Sequence, residues 1–421
     1  MTEEVTEKIE ETKTKFEKRR DFNKKIGDII YTIRSILLFE YVHGIYRFHF
    51  VNRELRPSNW KMKSFSLFLI TVLLALFITY LKFPAILSGT ECIVNIMDEV
   101  PSIVVLIEYT TSTMTASFLV NTVNIGIFTK LAMVDTTLQV ETFSDFYKKS
   151  RKETCVYLSV LCASHVINII IGLVTTNEIT MKEIIVLPVY FVQKLEILVF
   201  CKYISMVRSR LTMINNYLKT FVQDQEMKNV IVFTVKDGKI ENKEKFNYIG
   251  VSSESNTKIR ELATMYDVIG KICSMINEVF NFQIFMTLVS TFMFIVITIW
   301  TSLYCYKKPE NNSGELVNIA IWCFSTIYTV AITSFACERL LQVRNETKVL
   351  VNKIIMNYDL PKTMRVQAKA FMELLEAWPL RIYMYDMFSV DITLMLKFIS
   401  VATTYLIVII QISHFKFVEY D

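Results

Sequence analysis

Long apolar runs alternate with charged segments along this chain. Seven runs approach the length of about twenty residues that a helix needs to cross a bilayer, and they cover residues 64–83, 102–128, 154–175, 184–203, 278–304, 317–337 and 394–415. A shorter run, 29–50, is interrupted by charged and histidine side chains, and it is interpreted as a helix at the membrane interface. The pattern predicts an all-α protein with seven transmembrane helices. Eight is the alternative, if residues 29–50 also span.

Lys and Arg are distributed unevenly among the connections between these runs. Residues 1–60, 130–153, 202–275 and 338–391 hold 12, 5, 12 and 8 of them, whereas residues 84–100, 175–184, 305–316 and 416–421 hold 0, 1, 2 and 1. Because Lys and Arg concentrate in cytoplasmic loops, the N-terminus is predicted to be cytoplasmic and the C-terminus extracellular. The sequon at Asn311 then lies outside, where glycosylation would require it.

Several helices are predicted to continue into the cytoplasm. Apolar residues recur at steps of three and four through 204–221 and 259–276, which predicts packing seams for neighbouring helices. The segment 338–360 is predicted to be helical as far as Pro361, and 362–378 forms a further helix. Residues 223–257 are rich in polar side chains and are predicted to be a flexible insertion, with a small hairpin about Asp237 and Gly238 as the alternative.

Composition agrees with a membrane protein and argues against several function classes. The chain is 52% hydrophobic with a mean hydropathy of +0.36, which is more apolar than ordinary soluble domains. Hydrolase, metalloprotease and nucleotide-binding motifs are missing from the sequence, and its eight Cys and four His show no metal-ligand spacing. No apolar stretch typical of a cleaved signal peptide opens the chain. The sequence therefore predicts no enzyme, no cofactor, no metal and no nucleic-acid partner.

The last apolar run carries the most specific motif. Thr404 and Tyr405 are followed by five hydrophobic residues, 406–410, and then by Gln411. This pattern resembles the signature in the last helix of insect gustatory receptors, with Ile412 in place of the usual Phe. The residues upstream resemble that family too: Phe388, Asp391, Leu394 and the stretch QAKAFMELLEAWPL.

The resemblance implies a ligand-gated, non-selective cation channel. Four copies, identical or mixed with related receptors, would surround a pore lined by the last helix, whose pore and gate residues would be Tyr405, Ile409, Gln411 and Ile412. A ring of Ile side chains can close a pore by excluding water, and a ring of Gln amides can replace part of an ion's hydration shell. The alternative for Gln411 is a hydrogen bond to a neighbouring helix, and for Tyr405 it is simple packing.

The second predicted span has an unusually polar face. On a continuous helix this face would carry Glu108, Thr111, Ser112, Thr115 and Thr122. Such a face must point into protein or water, and an ionisable residue at membrane depth is a functional candidate. Lys194 on the fourth span is a possible partner of Glu108, either as a buried structural pair or beside a bound ligand.

Other polar and aromatic residues lie in the outer halves of the predicted spans. The candidates for contact with a small organic ligand are His165, Asn168, Tyr190, Gln193, Trp300, Asn318, Trp322 and Ser325. Packing is the alternative for each of them. Cys92 and Cys305 both lie on the predicted outer side, and the sequence leaves open whether they form a disulfide.

These observations predict a gustatory receptor in the plasma membrane of chemosensory neurons, with a small organic tastant, permeant cations, membrane lipid and related receptors as partners. A largely aromatic pocket favours bitter plant secondary compounds, and a sugar is the alternative ligand. A secondary transporter would need inverted repeats and interrupted helices, and a metabotropic receptor would need the opposite orientation.

The predicted segments are the cytoplasmic start 1–60, the pocket helices 61–203, the anchor 204–275, spans five and six 276–337, the anchor 338–391 and the pore helix 392–421.

The charge distribution yields a prediction about orientation. A single cysteine placed near residue 10 of a variant without other reactive cysteines is expected to react with a membrane-impermeant maleimide only after the cells are permeabilised. A cysteine placed at residue 421 should react in intact cells. Labelling of the N-terminal position in intact cells would contradict the predicted orientation.

Overall fold

The computed structural model describes residues 2–51, 53–82, 92–140, 145–176, 181–228, 248–307, 313–358 and 360–418. Ten α-helices and two short hairpins account for most of them. The helices are α1 (Thr2–Val42), α2 (Trp60–Lys82), α3 (Cys92–Met114), α4 (Asn121–Thr137), α5 (Asp145–Thr176), α6 (Met181–Lys228), α7 (Tyr248–Lys307), α8 (Ser313–Met356), α9 (Lys362–Ala377) and α10 (Ile392–Val418). The antiparallel hairpins pair β1 (His49–Val51) with β2 (Glu54–Arg56), and β3 (Tyr383–Met384) with β4 (Phe388–Ser389).

The seven predicted apolar runs coincide with helical structure, although the run 102–128 is divided between α3 and α4, and this confirms the all-α class. Five helical stretches in the described residues are long and apolar enough to cross a membrane: Trp60–Tyr80, Asp145–Val174, Ile184–Lys219, Thr257–Ile297 and Ala320–Met356. The pair α3 and α4 makes a sixth if it counts as one bent span. In the last helix, the apolar stretch Ile392–Tyr405 is the first part of α10, which continues to Val418 and is 27 residues long.

Two predicted boundaries differ from those of the structure. Residues 223–228 and 248–257 were assigned to a flexible insertion, but they continue α6 and begin α7; the proposed hairpin about Asp237 lies outside the described residues. The predicted helix over 29–50 ends at Val42, and β1 follows it. The runs 184–203, 278–304 and 317–337 belong to helices 48, 60 and 44 residues long, so these helices continue beyond the apolar runs, as the seams through 204–221 and 259–276 and the segment 338–360 predict.

The end of α1 depends on a glycine. Gly44 has a φ of +79°, in the left-handed region that glycine adopts at little cost. The backbone N–H of Ile45 reaches back to the carbonyl of Glu40 at 2.9 Å and so closes the helix end. A Cβ at position 44 would lie 2.9 Å from the side chain of Leu69 on α2. The chain therefore turns here against α2 and returns toward the core.

The cytoplasmic seams predicted from the sequence are the centre of the core. Val207, Leu211, Ile214 and Leu218 of α6 are completely buried within one chain. On α7, Tyr266, Ile269, Ile272 and Ile276 are completely buried too, and Tyr266 packs edge-on against Phe371 of α9. Because these seams hold a single chain together, a charge at Leu211 or Leu218 would unfold the subunit itself. A charged substitution at either position would therefore change the stability of the subunit, and the assembly of subunits could not be judged from it.

A buried ion pair fixes the helices near the predicted cytoplasmic face. Arg210 on α6 donates two parallel hydrogen bonds to Asp135 on α4, at 2.8 and 2.6 Å. The hydroxyl of Tyr147 on α5 donates to the same carboxylate at 2.7 Å. Lys25 on α1 donates to the carbonyls of Asp135 and Val140, at 2.9 and 2.8 Å. Three helices, α4, α5 and α6, therefore meet at the carboxylate of Asp135, and α1 is tied to the adjoining backbone.

The Asp135 pair yields a stability prediction. Arg210→Met leaves a buried carboxylate without its counter-charge, so it should lower the free energy of unfolding by about 3–5 kcal/mol. Lys219→Met is the matched control, because Lys219 and Glu346 form an ion pair with side chains 46% and 39% exposed and such pairs contribute about 0–1 kcal/mol. Thermal unfolding of the purified protein in detergent measures both. Equal shifts in the two variants would contradict the assigned role.

Candidate functional site

The span that carries Glu108 is bent. After α3, residues Thr115–Leu119 form a π-helical turn, in which the N–H of Val120 donates to the carbonyl of Thr115 at 3.0 Å. The helix axis changes direction by 68° at this point, and α4 follows. The carbonyl of Ser117 accepts hydrogen bonds from the Ser58 hydroxyl at 2.9 Å and from the Asn121 amide at 2.6 Å. The predicted continuous polar face is therefore wrong: Thr122 lies beyond the bend from Glu108.

Glu108 is the centre of a hydrogen-bonded cluster that joins three helices. Its carboxylate accepts from the Gln283 amide and the Thr287 hydroxyl of α7, both at 2.7 Å, and from the Gln193 amide of α6 at 2.8 Å. The hydroxyl of Ser290 lies 3.4 Å from the same carboxylate and accepts from Gln193 at 2.7 Å. Glu108 is 1% exposed. Four neutral donors therefore surround one buried carboxyl group. This set is named the Glu108 cluster.

Lys194 does not pair with Glu108. Its ammonium donates to the hydroxyl of Ser325 on α8 at 2.6 Å and lies 5.3 Å from the centre of the Trp322 ring. Gln193, the neighbour of Lys194 in sequence, takes the place beside the carboxylate that the sequence interpretation gave to the lysine. Two of the three predicted pocket residues of α8, Trp322 and Ser325, thus contact Lys194.

An aromatic cluster lies beside Lys194. The ring of Tyr190 is 5.3 Å from that of Trp322 and 6.4 Å from that of Phe294, and Phe294 and Trp322 are 6.3 Å apart. Tyr190 is buried, whereas Phe294 and Trp322 are half-buried. These three rings are named the aromatic cluster. Phe294 was missed by the sequence analysis, although it follows Ser290 by one helical turn on α7.

The remaining pocket candidates are dispersed. His165 and Asn168 are buried on α5, and the centres of the His165 and Phe191 rings lie 5.1 Å apart. Thr111 donates to the carbonyl of Ile107 in its own helix at 2.6 Å, and Ser112 is buried near Gln283. The side chains of Trp300, Asn318, Cys92 and Cys305 lie outside the described residues, as does the sequon asparagine Asn311.

A buried charged triad lies below the Glu108 cluster, and the sequence analysis missed it. Arg47, in the connection after α1, donates to Glu40 at 2.8 Å and also binds Glu196 of α6. Its guanidinium lies 4.9 Å from the centre of the Phe280 ring. Burial raises the pKa of Glu40, although Arg47 opposes that shift. The sequence contained an indication of this triad, because Glu40 and Arg47 are among the charged residues that interrupt the apolar run 29–50.

The helix that carries the gustatory-receptor motif begins at a capped turn. Asp391 accepts from the backbone N–H of Thr393 at 2.9 Å and of Leu394 at 3.2 Å, and the Ser389 hydroxyl donates to it at 2.6 Å. Burial acts to raise the pKa of Asp391, but these hydrogen bonds outweigh it and lower the pKa. The cap fixes where α10 starts.

The motif itself lies on an exposed part of α10. Tyr405 is 49% exposed and packs edge-on against Phe292 of α7, with ring centres 5.2 Å apart. Gln411 is exposed in the single chain. Ile409 and Ile412 belong to the helix, but their side chains lie outside the described part of the chain. The other exposed apolar side chains of α10 include Leu396, Ile399, Val401, Ile407 and Val408.

Comparisons with solved structures find the same fold in an insect receptor. The olfactory receptor OR5 of Machilis hrabei superposes with a TM-score of 0.59 at 12% identity, over 90% of this chain and 97% of that one. The structure of the same receptor in complex with eugenol gives a TM-score of 0.54 at 12% identity, with the same coverage. No match is found among curated protein sequences.

A family-level comparison covers most of the sequence. The family described as 7tm Chemosensory receptor matches residues 33–414. This range includes the bent span, the Glu108 cluster, the aromatic cluster and the motif of α10, and it covers α2 to α9 completely. The chain therefore belongs to the 7tm chemosensory receptor family.

Proposed function

We propose that this receptor is a gustatory receptor of an insect, and that it acts as a ligand-gated, non-selective cation channel in the plasma membrane of chemosensory neurons. The observation that carries the proposal is the exposed Gln411, which directly follows the five apolar residues 406–410 of α10. An amide is costly to leave in contact with lipid, so polar residues at membrane depth face protein or water. A water-filled pore between several copies of α10 satisfies Gln411 and covers the apolar face around it.

The proposed assembly is a homotetramer, or a heteromer with related receptors. In it α10 lines the pore, the helices of 61–203 form the ligand pocket, and 204–275 and 338–391 form the cytoplasmic anchor. The N-terminus is proposed to be cytoplasmic, as the distribution of Lys and Arg indicates. Permeant cations would be coordinated in part by the ring of Gln411 amides.

The proposed ligand is a bitter plant secondary compound. The aromatic cluster supports this, because three rings on three helices offer flat apolar surface with few polar groups. One of the similar solved structures is a complex with eugenol, a small aromatic molecule. A sugar is the second candidate, but sugars need several free polar partners. The carboxylate of Glu108, the group best suited to a sugar hydroxyl, already accepts hydrogen bonds from four side chains.

A ligand screen tests the proposed class. Cells that express the receptor with a fluorescent calcium reporter are expected to respond to members of a panel of plant alkaloids, phenolics and glycosides. They should not respond to a panel of mono- and disaccharides. Untransfected cells and cells expressing the Asp391→Pro variant, which removes the cap of α10, are the controls. Activation by a monosaccharide alone would reverse the choice of ligand class.

The pore assignment yields a prediction about α10. Ile412→Ser replaces an apolar ring by a polar one and lowers the barrier to hydration of the pore, so a cation current is expected without any ligand. Gln411→Ala deletes the polar groups nearest the permeating ion, so it should mainly change conductance and ion selection. Whole-cell recording, with sodium exchanged for a large organic cation, measures both effects.

Ser413→Ala is the control for the pore variants, since residue 413 points about 200° away from residue 411 on an ideal helix. It should leave both the resting current and the selectivity of the wild type unchanged. Silent resting currents and unchanged selectivity in both Ile412→Ser and Gln411→Ala would place the gate elsewhere on α10.

A further inference from the structure

Lys194 is a buried cation without a counter-charge in the described part of the chain. It is 9% exposed, and its ammonium contacts the neutral hydroxyl of Ser325 and the face of Trp322. No carboxylate of the described residues lies within 4.0 Å of it. Glu108 is occupied by four neutral donors, and Glu196 binds Arg47. The carboxyl groups of Glu108 and Glu196 therefore bind other side chains.

The other buried lysine of α6 shows how such a charge is otherwise accommodated. Lys202 donates to both the carbonyl and the hydroxyl of Ser150, at 2.9 and 2.8 Å. The ammonium of Lys194 instead contacts one hydroxyl, that of Ser325, and the face of one ring, that of Trp322. Burying an ammonium is costly unless it is paired with an opposite charge. An ammonium has three donors, and an anion brought to it would supply the missing charge and accept the remaining hydrogen bonds.

The aromatic cluster adjoins this charge. Tyr190 and Lys194 are four residues apart on α6 and therefore share one face of the helix. The rings of Tyr190, Phe294 and Trp322 lie 5.3–6.4 Å apart, and two of them are only half-buried. A flat ring packs well on such surfaces at offset or edge-on angles. The cluster and the lysine together place apolar ring surface beside a positive charge.

We propose that Lys194 determines the charge of the ligand, and that the receptor selects aromatic carboxylates. The ring of the ligand packs against the aromatic cluster, and its carboxylate accepts hydrogen bonds from Lys194 and Ser325. This inference rests on the ligand site of the proposed function and narrows the ligand class. Protonated alkaloids are repelled by the same charge that holds an acid, so acidic aromatic compounds are favoured among bitter substances.

Direct binding tests the proposal independently of conduction. Full-length receptor in detergent is titrated calorimetrically at pH 7 with 3-phenylpropanoate, with its neutral amide, and with 3-phenylpropylamine. The acid is expected to bind at least about tenfold more tightly than the amide, since a charge-assisted hydrogen bond is stronger than a neutral one. The amine should bind most weakly of the three.

Substitutions of Lys194 test whether this residue causes the preference for the acid. Lys194→Met should weaken binding of the acid by about tenfold or more and leave the amide nearly unchanged, whereas Lys194→Arg should keep the preference for the acid. Lys194→Glu should reverse the preference toward the amine. Lys202→Met is the matched control, because it removes a second buried lysine of α6 that contacts Ser150. It should leave the order of the three ligands unchanged.

Thermal unfolding identifies the variants that are folded, and Lys194→Gln replaces Lys194→Met if the latter is not. Equal affinity of the wild type for acid and amide, unchanged acid binding in the neutral variants, or no binding of any of the three compounds would each overturn the proposal. Acid binding that depends on Lys194 but opens no channel would support the role of this residue and contradict the channel function.

Discussion

Buried charge has to be compensated, and that constraint determines how the helices of this receptor meet. Asp135 and Arg210 are almost fully buried, and the carboxylate draws α4, α5 and α6 together through side-chain hydrogen bonds, while Lys25 ties α1 to the adjoining backbone. Nearer the bend of α3, Arg47 holds the connection after α1 against α6 through Glu196. Leaving any of these groups unpaired would cost several kcal/mol. The charged groups thus specify the packing angles that an all-apolar interior would leave less defined.

Helix α7 connects the two regions to which function is assigned. Its residues Gln283, Thr287 and Ser290 form one side of the Glu108 cluster, and Phe294 adds a ring to the aromatic cluster one turn further on. Asn277 and Asn281 lie six and two residues before Gln283. Their amide oxygens accept hydrogen bonds from the backbone N–H groups of Tyr383 and Tyr385, in the hairpin that precedes α10. A displacement of α7 caused by a ligand would therefore reach the start of α10 through two specific hydrogen bonds. Tyr405 provides a second connection, because it packs on Phe292.

The sequence predicted the helices well because apolar runs of bilayer length and three-four spacing are local signals. It did not predict the bend after Met114, because no proline or glycine occurs at that position in the sequence. The π-helical turn is stabilised by hydrogen bonds from the side chains of Ser58 and Asn121 to the carbonyl of Ser117. The sequence also failed to pair Lys194. Periodicity gives the face of a side chain and its depth, but Glu108 is bound by neighbours on α6 and α7 whose positions only the folded chain provides. Phe294 and Arg47 were missed for the same reason.

The two charges that the sequence singled out have opposite consequences once their partners are known. Glu108 has four neutral hydrogen-bond donors and is fixed on three sides, so it is suited to holding α3, α6 and α7 at constant distance. Lys194 has one neutral hydroxyl and an aromatic face, and it lies beside rings that are partly open. A group whose hydrogen bonds are all made within the protein can form few new ones with a ligand. A buried charge without a counter-charge, in contrast, is stabilised when a ligand supplies the missing hydrogen bonds and the opposite charge. Specificity in this site therefore follows from the group that folding leaves unsatisfied.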